Sequence, residues 1–255
     1  MLFALSTVVS QAATLTTTTL TGADFSGWNL GTDVSRWYVS TTVGAVASVA
    51  DSAQNGRQSI GSNAFFIRGA TDGGYIDSFF KLGGGMTLSN SVTFDFVYSW
   101  SGGARGIEFQ SGTSKIAYTH SGSDALNFVG LDGTTTAIYS NGFNSAFQIK
   151  AIATGLNQLT LETRNLSNPS WLDTQVVALD VSALDQIKFY TGGISEANDN
   201  YGLFMNNFSV IPEPSSSLLM GLGLAGLVVL RRFRKTPNGI LLSKNPPTSV
   251  GGFFV

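Results

Sequence analysis

The chain has no cysteine and a single histidine. The first absence excludes disulfides, thiolate metal sites and a cysteine nucleophile together. The second excludes any multi-histidine metal centre. Charge is scarce as well: Asp, Glu, Lys and Arg make up 12% of the 255 residues, against about 25% in an ordinary soluble protein. This scarcity is not the signature of a disordered chain, because 18 Phe and many β-branched residues supply apolar surface that must be buried. Charge is also divided unevenly. Five of the fourteen basic residues (Arg231, Arg232, Arg234, Lys235, Lys244) follow Ile211, and up to Val210 nine basic residues face fifteen acidic ones, a balance of −6. An acidic body without a basic stripe has no electrostatic hold on phosphate backbones, which excludes nucleic acid as a partner class.

Helical periodicity is missing from most of the chain, and so is any repeat of about 20–50 residues, which argues against a propeller or solenoid. Residues 14–210 instead show period-two alternation broken by Gly, Asn and Asp. In "SVTFDFVYSW", Val92, Phe94, Phe96, Tyr98 and Trp100 share one face, opposite Thr93, Asp95, Val97 and Ser99. Similar runs predict strands at 43–49, 64–68, 75–82, 106–110, 115–119, 125–129, 136–139, 147–153, 158–164, 175–181, 186–190 and 202–210. Asp132-Gly133 and Asn141-Gly142 supply the positive φ of tight hairpins, and Gly83-Gly84-Gly85 breaks the chain between strands. So many short antiparallel strands without repeats predict two sheets packed face to face, a jelly-roll sandwich.

The two ends have a different texture. "MLFALSTVVSQAAT" carries an apolar stretch from Leu2 to Val9, then the small residues Ser10-Gln11-Ala12-Ala13, and residues 1–13 read as an export signal shortened at its front, with no Lys or Arg before Arg36. Near the other end, Leu218 to Leu230 contains no charge. Extended back to Ser215, it would form a helix rising ~1.5 Å per residue, just long enough to cross a bilayer with snorkelling arginines. The basic residues Arg231, Arg232, Arg234 and Lys235 behind it predict a cytoplasmic flank and an exported body. Gly221, Gly223 and Gly226 spell G-x-G-x-x-G inside this run, but a Pro-Glu-Pro turn precedes them and arginines follow. The strand and ribose-binding acid of a dinucleotide site are lacking, so no nucleotide is expected and the glycines read as close-packing helix residues.

Pro212-Glu213-Pro214, the apolar run and Arg231-Arg232, in that order, resemble the PEP-CTERM sorting signal, a tail that also goes by the name ice-binding-protein C-terminal domain without implying ice. The resemblance covers residues 211–235. It implies that Pro212, Glu213 and Pro214 are read by an exosortase in the inner membrane of a Gram-negative-type bacterium. It further implies that the protein is held by a single C-terminal transmembrane helix, 215–230, before passing to the cell surface or the exopolysaccharide matrix. Residues 236–255 run on beyond the usual end of such tails and read as a disordered extension.

The closing run "NDNYGLFMNNFSV" is loosely similar to the last strand of concanavalin-like and carbohydrate-binding jelly rolls. That likeness implies a calcium ion tying the termini in some members, with Asp199 and Asn207 as conceivable ligands here. No D-x-D-x-D-G loop is present, so a solvated turn is the simpler reading and no cofactor is expected. The fold expected is therefore all-β, a jelly-roll or concanavalin-like β-sandwich followed by one membrane helix.

For chemistry, a glycosidase needs two neighbouring carboxylates, and Glu108 with Asp95 is the pair on offer. A Ser-His-Asp triad would have to use His120, which has no nucleophile signature near it and reads as a surface residue. Glycan binding would need exposed aromatics, for which Trp171 and Trp28 lead, with Trp37, Trp100, Tyr75 and Tyr201 behind them. The leading expectation is a non-enzymatic, surface- or matrix-sorted structural protein. A carbohydrate-binding module is the alternative, and a glycoside hydrolase or lyase the third reading. Removal of Pro212–Val255 is predicted to misplace the protein while leaving its β body folded, with cell fractionation reading the first effect and far-UV circular dichroism the second.

Overall fold

The computed structural model describes residues 18–20, 37–41, 45–71, 74–82, 84–98, 103–121, 124–193 and 202–211. Five expectations lie outside these residues: the export signal 1–13, Trp28, Trp100, the Asp199–Tyr201 segment, and the whole tail with its sorting residues and helix. Among the described residues no helix is long and apolar enough to cross a membrane.

The body is an all-β sandwich of two antiparallel sheets. The strands are β1 (Thr18–Leu20), β2 (Trp37–Thr41), β3 (Val46–Ala50), β4 (Ala64–Arg68), β5 (Tyr75–Lys81), β6 (Ser91–Tyr98), β7 (Ala104–Ser111), β8 (Ser114–Ser121), β9 (Leu126–Val129), β10 (Thr135–Tyr139), β11 (Ala146–Gly155), β12 (Gln158–Asn165), β13 (Leu172–Val177), β14 (Leu184–Gly192) and β15 (Leu203–Ile211). The first sheet runs β13-β12-β11-β6-β15-β4-β3, with β1 also paired to β15, and the second runs β10-β9-β8-β7-β14-β5-β2.

Alternation explains which face each residue takes. Phe94 of β6, Phe109 of β7, Phe189 of β14 and Phe208 of β15 point between the sheets and are fully buried. The Phe94 ring lies 5.2 Å from Phe208 in a stack, 5.3 Å from Phe189 edge-on and 6.3 Å from Phe109. This knot joins both sheets at the middle of the core. A polar tie reinforces it where Thr163 of β12 donates to the Tyr118 hydroxyl of β8 at 2.8 Å.

Three expectations are corrected. Val97, assigned to the polar face, is buried, because residues 51–61 fold over the outside of the first sheet and form a second cluster of Ile60, Ala64, Phe66, Val97, Ala146 and Phe204. Arg57 caps that cluster with its guanidinium 4.3 Å from the Phe204 ring, and Asn206 donates to the Ile60 carbonyl at 2.7 Å. Second, Asn141-Gly142 closes no hairpin, since β10 and β11 lie in different sheets and the segment crosses between them. Gly142 is needed there for close approach: a Cβ would run into the Tyr98 hydroxyl. Third, the strand expected at 175–181 is Leu172–Val177. Asp180 instead caps a short 3-10 turn by accepting from the Ser182 amide at 2.9 Å, so Leu179 and Val181 reach the core from a turn. Asp132-Gly133 does close the β9–β10 hairpin, with Gly133 at φ 78° and Asp132 accepting from both the amide and the hydroxyl of Thr134.

Phe94→Ala is predicted to cost about 3–5 kcal/mol of unfolding free energy, measurable by urea denaturation. Any change much below 1 kcal/mol would show that the knot does not carry the core.

Candidate functional site

On the outer face of the second sheet, strands β5, β14 and β7 lie side by side, and their register lines up the polar half of each alternation. Across the sheet, Tyr75 faces Gly192, which faces Ala104; Asp77 faces Tyr190, which faces Gly106; Phe79 faces Lys188, which faces Glu108. Lys188 sits between two carboxylates, 3.0 Å from Glu108 Oε2 and 3.9 Å from Asp77 Oδ1. Lys115 reaches Glu108 Oε1 at 3.3 Å. Gln110 donates to Glu108 at 2.9 Å, and Gln186 donates to Gln110 at 2.6 Å. The result is one connected network of charged and amide groups on a rigid sheet.

The network splits the two acids. Burial pushes the Glu108 carboxyl upward, but the bond and charge of Lys188, the Gln110 amide and Lys115 outweigh it, and its pKa lies below the ordinary value. Asp77 moves the other way, because burial and the Glu108 charge raise its pKa more than Lys188 lowers it. Two aromatic rings lie against this surface. The Tyr190 ring covers Gly106 and has the Lys188 ammonium 4.9 Å from its centroid; burial, then Glu108 and Asp77, lift its phenol to about 12. Tyr75 covers Gly192 in the same way, yet remains 52% exposed.

The residues singled out from sequence are dispersed. Asp95 sits on the outer face of the first sheet, across the sandwich from Glu108, so the two cannot share a substrate. Gln148 and Asn207 each donate to one Asp95 oxygen, at 2.9 and 2.7 Å. Asn207, at φ 53° in a one-residue bulge of β15, has its amide engaged there. Among the described residues no group of three or more His, Asp or Glu could hold a metal ion. Trp171 is half-buried, edge-on to Tyr139 at 4.8 Å and to Phe147 at 6.0 Å, and anchors its loop on the core.

His120 departs from the surface position expected of it. It is 1% exposed, stacked on Tyr98 at 5.0 Å and edge-on to Phe143 at 4.6 Å. With Tyr98, Arg105 and Leu203 it lines a cavity of about 10 Å³ between the sheets, room for one water and too small for a ligand. Burial is the chief cause that drops its pKa to about 4, against a hydrogen bond to the Ala125 carbonyl. The strand pattern carried the alternation of Gln186, Lys188 and Tyr190, but their partners on β5 and β7 come from register between distant segments, which no local signal encodes.

Residues 210–235 match the PEP-CTERM protein-sorting motif. No curated protein matches the chain. Solved structures similar to it include a sialidase (12% identity, TM-score 0.48, covering 70% of this chain and 17% of that one). Peanut lectin is also similar (10% identity, TM-score 0.41, covering 69% and 100%). So is a carbohydrate esterase from the Shiga toxin-encoding bacteriophage phi24B (14% identity, TM-score 0.48, covering 76% and 98%). At such scores likeness transfers no function.

The single histidine makes its titration easy to follow by proton NMR of untagged protein. Because its folded pKa of about 4 lies below the ordinary 6.5, the ring is predicted to stay neutral from pH 8 down to about 5. The stability it contributes is complete above pH 6.5 and is lost as pH falls toward 4. A midpoint near 6.5 would contradict its burial.

Proposed function

We propose that this is an exported protein, sorted by its tail to the cell surface or matrix, where the sandwich serves a non-enzymatic, exopolysaccharide-associated role. The observation that carries this reading is the sorting motif at residues 210–235, which begins as the last strand ends at Ile211. A PEP-CTERM motif implies export and handling by an exosortase at the membrane. In this reading Pro212, Glu213 and Pro214 are the recognition residues, 215–230 spans the inner membrane, and Arg231, Arg232, Arg234 and Lys235 hold the cytoplasmic side.

The non-enzymatic part draws support from the geometry of the carboxylates. Glu108 is ion-paired to two lysines, which suits a structural acid better than a nucleophile. Lys188 stands between Glu108 and Asp77, where a sugar carbon or an attacking water would have to be placed. No cofactor is needed for this role.

Replacing Pro212, Glu213 and Pro214 together by alanine is predicted to retain the protein in the membrane fraction and deplete it from the matrix, as read by immunoblotting of fractions. The unaltered protein incubated with exopolysaccharide is predicted to release no reducing ends. Normal sorting of the triple variant, or turnover abolished by Glu108→Gln, would reject the corresponding half of the proposal.

A further inference from the structure

We propose that the outer face of the second sheet is a binding surface for a neutral polysaccharide chain, with Tyr75 as the stacking platform and Asp77 and Lys188 as the readers of hydroxyl groups. This rests on the preceding reading that the protein works among exopolysaccharide, and adds to it a site and a class of sugar.

The Tyr75 ring carries the argument. A Cβ at position 192 would collide with it, so the ring packs over the backbone of β14, and more than half of the residue stays open to solvent. An exposed aromatic ring held against a rigid strand is ordered at little entropic cost, which is what stacking on the apolar face of a pyranose needs. Next to Tyr75 in register the sheet carries Gly192 and Ala104, and beside Tyr190 it carries Gly106 and Thr119. The glycines at 192 and 106 are the seats of the two tyrosine rings, so Tyr75 and Tyr190 stand as the raised features of this face. Tyr75 and Asp77 stand two residues apart on the outer face of β5, about 7 Å at ~3.4 Å per residue, so one sugar chain can touch both.

The polar network decides the class of sugar. A hydroxyl donates and accepts, and a lysine held between carboxylates offers both functions at one spot: the ammonium has three donors and each carboxylate about four acceptor sites. An anionic glycan would need cations to spare. Here Lys188 is shared by Asp77 and Glu108, and Lys115 also pairs with Glu108, on a body whose balance up to Val210 is −6. Uronate-rich chains would meet two carboxylates and repulsion.

The test is affinity electrophoresis of the detergent-solubilised full chain through gels containing neutral or acidic exopolysaccharide pools from producing cells, with dextran and alginate as references. Retardation by the neutral pool is expected, insensitive to 0.5 M salt. Tyr75→Ala should weaken it about tenfold, roughly the loss of one stacked ring, while Tyr75→Phe should hold affinity within about twofold. Gly192→Ala, which lifts the ring without deleting it, should also weaken binding, and unchanged melting curves would show that the fold survives. Full affinity in Tyr75→Ala, retardation confined to acidic pools and abolished by salt, or no retardation at all would overturn the site. Those failures leave the sorting reading standing if the protein still fractionates with the matrix. A protein that never leaves the cell would sink the sorting reading while the gels still judged the site.

Discussion

The stack of aromatic rings between the two sheets is the constraint on which the rest depends. With no disulfide available and little charge, the sandwich is held by burial of apolar area, worth about 25 cal/mol per Å². Phe94 meets rings from both sheets at once. Among the described residues eleven phenylalanines are buried. Because each large ring fills one inward position of an alternating strand, every inward ring commits its neighbour to the outer surface. The polar network on the second sheet follows from the same packing that closes the core.

The two outer faces have been treated differently. On the first sheet, residues 51–61 fold back and bury Val97 and Phe204 beneath Arg57, which covers that side over β4, β15 and β6. The second sheet's outer face carries acids, lysines and amides that satisfy one another and, Lys115 apart, are buried or half-buried. Its tyrosines lie on glycines, and Tyr75 is the exposed one. Polar groups on a strand are inexpensive when water or partners remain, and a rigid sheet holds them in place without ordering cost on binding.

Buried polar groups inside the sandwich have a separate logic. His120, Tyr98 and Arg105 cluster at one end of the core beside a void the size of a water molecule, and burial holds His120 neutral through the physiological range. Nothing there has space for a substrate. The titration of His120 is therefore a structural matter, whereas the raised pKa of Asp77 belongs to the outer face of the second sheet.

What the sequence determined by itself was the material of the fold and the address on its tail. Period-two alternation gave the inward rows of β6, β7 and β14, because side-chain direction along a strand is a local property. The ordered triad of Pro-Glu-Pro, apolar run and arginines is likewise a contiguous signal. Tertiary structure alone decided which strands are neighbours. Asn141-Gly142 looks like a hairpin and is a crossover; His120 looks exposed and is sealed against Tyr98; Glu108 pairs with Lys188, eighty residues later, rather than with Asp95. Register between remote strands is settled by the whole core packing at once, and a one-residue slip would turn each outer group inward, so no stretch of chain read alone could reveal the site.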